Sequence, residues 1–402
     1  MVNADLGDVS VHVLPKDAEK SGKATQAISL IIGSRWFQKL TSTQLKGYHY
    51  LVYRPPSQSM GLNFIANDYR RAAPFENKAD FRLSYADSLP FIDFEIDTLN
   101  DNTEDELYAK YHQLYGEFFV QDEDMSGGQG TFLVTDRESF SRAYRSLVER
   151  QKRIVVSRRF NGKDYSVQCC ATKYGVFVGP LQRQLINDPE LCNTELEGGE
   201  KFCGVQVGVE EPYDGSYQAV AALARTVGSE LYAAGVKGIF SIDVLINAEN
   251  NELRILEVNP RMTGVTPVFN LAQQRADIPL PLLHILETSG SQYEVSDFDE
   301  SDLHVDVPPT SLLILRNKST SPSNVNSSVA SGAYSFAMDK LSDDVTLKDG
   351  VVTLHSYVPE DTLMGPGDKI ASLYMHETVL TAEGELTDKA RTIARASYQL
   401  YR

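Results

Sequence analysis

Residues 238–261 read GIFSIDVLINAENNELRILEVNPR, two strand-like runs around a polar turn. A five-residue loop, Ala248 to Glu252, pairs Asn247 with Leu253 and sets Asp243 directly opposite Glu257. Side chains alternate along a strand, so Glu257 and Asn259 share the face of Asp243. The other face then carries Ile242, Val244, Ile246, Leu256 and Val258, apolar except for Arg254 near the turn. Like charges opposed across a sheet repel, and a divalent cation would relieve that repulsion. Mg²⁺ takes oxygen ligands, commonly one or two carboxylates together with nucleotide phosphates. An acidic, solvent-facing hairpin accounts for the same residues, and the hairpin alone leaves both readings open.

Upstream lies a second informative stretch, Asp122 to Thr131 (DEDMSGGQGT), between the short apolar runs Phe118–Val120 and Phe132–Val134. Glycines allow positive φ and close approach of backbone N–H groups to phosphate, and Ser126 and Thr131 add hydroxyls. No Gly-Lys-Ser/Thr follows, and G-x-G-x-x-G spacing is absent, so this is neither a Walker A loop nor a dinucleotide fingerprint. Taken alone, it reads as a glycine-rich hairpin turn.

The order of these parts resembles the ATP-grasp superfamily: a glycine loop, then a strand at Arg153 to Ser157, then a late hairpin ending Glu257-x-Asn259-Pro260-Arg261. The resemblance covers roughly residues 104–275. It implies an α+β fold in which two lobes clasp ATP, behind a partial N-terminal α/β domain and ahead of a small β-rich C-terminal module. The expected boundaries are 1–103, 104–185 (small lobe), 186–304 (large lobe) and 305–402. It further implies that Asp243, Glu257 and Asn259 hold Mg²⁺ (or Mn²⁺) on the ATP phosphates, and that Arg261 faces the transferred phosphoryl group. Ser126, Gly127, Gly128, Gln129, Gly130 and Thr131 would form the flap over the phosphates. Val155, Val156, Ser157 and Arg158 would border adenine. Many members carry a lysine just before the glycine loop, where this chain has Gln121, which brings hydrogen-bond donors but no charge. The chain also resembles peptide ligases related to the pheganomycin-forming enzyme, in which that lysine is dispensable. Gly179 to Leu185 (GPLQRQL) looks like that subgroup, with Gln182 or Gln184 toward nucleotide or acceptor. The implied activity is ATP-dependent ligation of a carboxylate to an amine through an acyl-phosphate, on small molecules such as amino acids or peptides. A bicarbonate-using carboxylase and a non-catalytic nucleotide-binding regulator are the two rivals.

The rest of the chain sets bounds. Its 402 residues suggest two or three packed modules, and 42% hydrophobic with 23% charged residues is a globular composition. A net charge of −17 argues against a nucleic-acid partner. No apolar run is long enough to span a membrane, and the N-terminus lacks a signal-peptide pattern, so the cytosol is the expected location. A homodimer is compatible with the sequence. Cys169, Cys170, Cys192 and Cys203 lack zinc spacing and read as buried thiols. The seven histidines form no metal or catalytic spacing. Helical periodicity marks Asp136–Arg150, Tyr217–Ala234 and Leu386–Leu400. Lys110 reads as a solvated helix lysine. Asn270, Gln273, Gln274 and Arg275, just past the hairpin, could meet a substrate carboxylate, although a helix surface explains Gln273 and Arg275 as well. Residues 318–332, rich in Ser and Asn, read as a linker or long loop.

Overall fold

The computed structural model describes residues 49–51, 63–99, 102–125, 128, 130–150, 152–196, 201–273, 280–294, 307–344, 347–358 and 363–402. In chain order, strands β1 (His49–Leu51) and β2 (Asn63–Ile65) pair in parallel, followed by helices α1 (Tyr69–Glu76) and α2 (Lys78–Tyr85). Next come β3 (Phe94–Thr98), α3 (Glu104–Tyr115), β4 (Phe118–Asp122), β5 (Thr131–Val134), α4 (Arg137–Leu147) and β6 (Arg153–Arg158). Then β7 (Lys163–Thr172), β8 (Gly175–Val178), β9 (Gln182–Ile186), β10 (Phe202–Val207), α5 (Ser216–Ala233), β11 (Gly238–Asn247) and β12 (Glu252–Asn259) follow. The chain closes with α6 (Thr266–Ala272), α7 (Leu280–Ser289), β13 (Thr310–Arg316), β14 (Gly332–Tyr334), β15 (Lys340–Ser342), β16 (Val352–Ser356), β17 (Lys369–Met375) and α8 (Asp388–Leu400).

Two sheets organise the site. The smaller has the order β3-β6-β4-β5, with α3 and α4 packed on it through Leu107, Tyr111, Phe140 and Leu147. Both helices start at capping boxes, Thr103 with Glu106 and Asp136 with Ser139, which satisfy the first free backbone N–H groups. The larger has the order β12-β11-β7-β9-β10-β13-β17-β16-β14-β15, with β8 beside β7. Helix α5 lays Val220, Leu223, Val227 and Leu231 against it, the stripe expected from helical spacing. Strand β3 joins the smaller sheet, while β7 to β9 belong to the larger one. The C-terminal strands do not form a detached module. Strand β13 pairs with β10, and Gly204 makes the close pairing feasible: a Cβ there would sit 2.3 Å from the Leu312 carbonyl oxygen.

Residues 318–331 form a loop between β13 and β14, and Gly332 begins β14. Among the described residues no helix is long and apolar enough to cross a membrane.

Candidate active site

Strands β11 and β12 pair Ser241 with Asn259, Ile242 with Val258 and Asp243 with Glu257. Near the turn the register differs from expectation: Asn247 faces Glu252, and the loop has four residues. A bulge at Leu256 restores the count, because two residues of β12 then match one of β11. The bulge also turns Leu256 toward the cavity instead of the apolar face, where Leu253 and Ile255 pack with Ile242, Val244, Ile246 and Val258. Arg254 lies over the Phe160 ring instead.

Asp243 and Glu257 line a cavity of about 460 Å³ with Gln121, Gly128, Thr131, Asn259 and Arg261. The acids are held by amides and one ammonium. Gln184 Nε2 donates to Asp243 Oδ1 at 2.9 Å, and Asn259 Nδ2 donates to Asp243 Oδ2 at 3.2 Å and to Glu257 Oε1 at 3.3 Å. Lys78 Nζ lies 3.2 Å from Glu257 Oε2 and donates to the Met125 carbonyl at the start of the glycine loop. Burial first, then the facing Glu257 charge, pushes the Asp243 carboxyl well above the usual range. Burial also opposes the charge on Glu257, but Lys78 and hydrogen bonds from Asp243 and Asn259 outweigh it and hold that carboxyl down to about 2.

Arg261 is 8% exposed. Its Nε donates to Glu76 Oε1 at 2.7 Å, Nη2 to Asn259 Oδ1 at 3.0 Å, and Nη1 to the Met262 carbonyl at 3.2 Å. Asn259 therefore turns its oxygen to Arg261 and its NH₂ to the acids, so serving as an oxygen ligand requires its amide to rotate. The donor set otherwise suits a hard divalent cation. Among the described residues no group of three His, Cys, Asp or Glu side chains could hold a metal alone. An ion here would complete its shell from amide, phosphate and water oxygens, as Mg²⁺ does.

The glycine loop is built from both ends. The buried Asp122 carboxylate accepts from Asp124 N at 2.9 Å and Met125 N at 3.0 Å and is ion-paired to Arg150. Gly128 and Gly130 adopt φ of 78° and 72°, where a side chain is strained. Gly128 and Thr131 reach the cavity, and Thr131 N donates to the Gly128 carbonyl. Ser126, Gly127 and Gln129 lie outside the described residues.

The strand expected to border adenine lies inside the smaller sheet. Val155 and Val156 are fully buried in β6 between β3 and β4, Ser157 is buried beside them, and Arg158 is exposed and paired with Asp93. None of the four lines the cavity. Gln182 and Gln184 both do. Lys110 is tied to Asp97, away from the site. Asn270 and Gln273 sit at α6 without lining the cavity, and Gln274 and Arg275 lie outside the described residues.

Several cavity residues were not legible beforehand. Lys78 begins α2, Asp164 and Ser166 lie on β7, and Gln168 is buried beside them. Burial pushes the Asp164 carboxyl up to about 6. The Asn77 N-cap, whose side chain accepts from Ala79 N and Asp80 N, was the available signal that a helix starts at Lys78.

Residues 109–265 match the family model of the ATP-grasp domain. The chain carries an ATP-grasp domain. The match ends just past the Asp243–Arg261 hairpin and takes in Gln121, the glycine loop and Gln184. ATP-grasp domains are catalytic and work on ATP with Mg²⁺, so the enzyme class and cofactors expected from the sequence stand. The described residues have the ATP-grasp fold. It is similar to a carboxyaminoimidazole ribonucleotide synthase from Aspergillus clavatus complexed with ATP, with TM-score 0.56 and 14% identity over 93% of this chain and 80% of that one. It is also similar to the biotin carboxylase domain of Hydrogenobacter thermophilus 2-oxoglutarate carboxylase, in complex with MgADP, ADP and bicarbonate. There the TM-score is 0.56 at 11% identity, over 90% and 73% of the two chains. At such identities the likeness concerns the fold. No curated protein matches the ATP-grasp chain in sequence.

Proposed function

We propose that this ATP-grasp protein joins a carboxylate to an amine, phosphorylating the acid with ATP and releasing ADP and phosphate. The carrying observation is the cavity wall around Arg261. Ser241, Gln168 and Met262 to Val265 line it there, and none bears a titratable side chain. A carboxylic acid enters such a site already ionised, and its oxygen attacks the γ-phosphorus without a base.

In this reading Asp243, Glu257 and Asn259 would hold Mg²⁺, which supplies charge neutralisation on the β- and γ-phosphates. Lys78 and Arg261 face the same space and stabilise negative charge on the phosphoryl group. Loop N–H groups around Gly128 and Gly130 position the phosphates. The carboxylate oxygen attacks the γ-phosphorus and ADP leaves. The amine then adds to the acyl carbon, phosphate departs, and the amine gives up a proton. The protein contributes positioning and charge stabilisation. The resemblance of the sequence to pheganomycin-type peptide ligases makes amino acids or peptides the substrate class to try first.

The test is phosphate release from ATP and Mg²⁺ with paired amino acids and peptides. Release should need both the acid and the amine, and ¹⁸O from the carboxylate should appear in phosphate. AMP and pyrophosphate as products overturn the acyl-phosphate route. Release that needs bicarbonate favours a carboxylase, and absence of turnover with every pair favours a binding protein.

A further inference from the structure

Arg82 is 1% exposed, in the second turn of α2. A buried guanidinium normally has its N–H groups paired. Here Nη2 donates to Gln121 Oε1 at 3.1 Å and to the Leu256 carbonyl, at the β12 bulge, at 3.3 Å, while Nε and Nη1 have no hydrogen-bond partner among the described residues. The group lies over the rings of Phe91 and Phe94, 6.0 and 5.7 Å from their centroids. Burial lowers its pKa to about 10, with Glu257 opposing that fall, so it is cationic at neutral pH.

Arginine only donates, which fixes the Gln121 amide. Its oxygen must face Arg82, so its NH₂ faces the cavity side. One N–H reaches Thr131 Oγ1 at 3.3 Å. Gln121 lines the cavity together with Gly128, Lys78 and Glu257, so its second N–H is available to a ligand bound there. A cation behind the amide also polarises it and strengthens its donors.

Resting on the proposed nucleotide site, we propose that Arg82 is a positioning residue that aims the Gln121 amide at a phosphoryl oxygen of the bound nucleotide. The positive charge stands one residue deeper than the group that touches the ligand. A lysine at 121 is then excluded by like charge, because its ammonium would stand against the buried guanidinium.

Substitutions at 121 separate this role from a structural one. Gln121→Glu keeps an acceptor for Arg82 and forms an ion pair, but it offers the cavity no donor. Its thermal midpoint should equal or exceed that of wild type, while its affinity for MgADP, measured by calorimetry, should fall about tenfold or more. Adenosine, used as the probe without phosphate, should bind both proteins alike. Gln121→Lys should lose both stability and MgADP affinity, and Arg82→Met with Gln121→Lys should recover the affinity. Equal MgADP affinity in folded Gln121→Glu and wild type overturns the inference and leaves the nucleotide site standing. Tighter binding by Gln121→Lys alone also overturns it. Wild-type protein that binds no MgADP overturns the site reading and this inference together.

Discussion

Asp243 and Glu257 face each other, but they are not equivalent. Asp243 is held by neutral amides and has its carboxyl pushed up, while Glu257 is paired with the buried Lys78. Asp243→Asn therefore removes little that stabilises the ion-free fold. Glu257→Gln leaves a buried ammonium short of its counter-charge, at a cost of about 3 kcal/mol. Both should abolish Mg²⁺-dependent turnover. Only Glu257→Gln should lower the denaturation midpoint clearly, and an equal loss in both would show that Lys78 does not depend on Glu257. A second prediction concerns His284 of α7. It is buried, accepts the Ile239 N–H through Nδ1 at 3.0 Å, and has no partner for Nε2 among the described residues. Burial lowers its pKa from 6.5 to about 4. The unfolded chain takes up this proton first on acidification. Stability is thus complete above about pH 6.5 and falls by about 3 kcal/mol as the pH drops to 4. Urea denaturation across that window should show a shallower slope in His284→Gln. Gly238 gives this contact its room, since a Cβ there would lie 2.3 Å from Nδ1.

Among the elements, the hairpin was the most readable because alternation ties each face to a neighbour. The facing of Asp243 and Glu257 was derived correctly from a five-residue loop that does not exist: the shorter turn and the Leu256 bulge offset each other. Bulges leave no clear mark in a single sequence, and Leu256 was placed on the wrong face for that reason. Helices α1 and α2 left weak signals. Each has eight residues, and Pro74 sits inside α1. Their charged side chains Glu76, Lys78 and Arg82 look like solvated surface until the hairpin is folded against them. The strand at Val155 was recognisable, but a strand flanked on both sides, with Val155 and Val156 both buried, gives no clue to what its ends touch. The glycine loop carries its own prediction. At φ 78°, Gly128→Val meets backbone strain and adds branched bulk where phosphate would lie. The KM for ATP should rise at least about tenfold with thermal stability little changed, because the change is local to the loop. An unaltered KM would mark the loop as an ordinary turn.

Across the whole molecule, the site depends on one sheet that runs from β12 to the C-terminal strands. Gln206 Oε1 of β10 accepts the backbone N–H groups of Val379 and Leu380, both at 2.9 Å, and Arg316 donates to the Phe202 carbonyl. Leu185, Leu191 and Cys203 share a core with Leu313, Leu354 and Ile393. A fragment ending at residue 304 would bare the β10 edge and half of that core. It should be insoluble or lack a cooperative unfolding transition, whereas a compact, cooperatively melting fragment would show that the C-terminal part is dispensable.

That strand order sets a timetable for synthesis. β10 and β13 are neighbours in the sheet, yet more than a hundred residues separate them in the chain. A ribosome must make α5, the β11–β12 hairpin, α6 and α7 before the partner of β10 emerges, and at ordinary elongation rates of about 5–20 residues per second that takes on the order of ten seconds. For that interval the nascent chain holds a nearly finished active-site wall beside an open strand edge. Slowing translation between residues 207 and 310 should lower the soluble yield more than slowing it earlier.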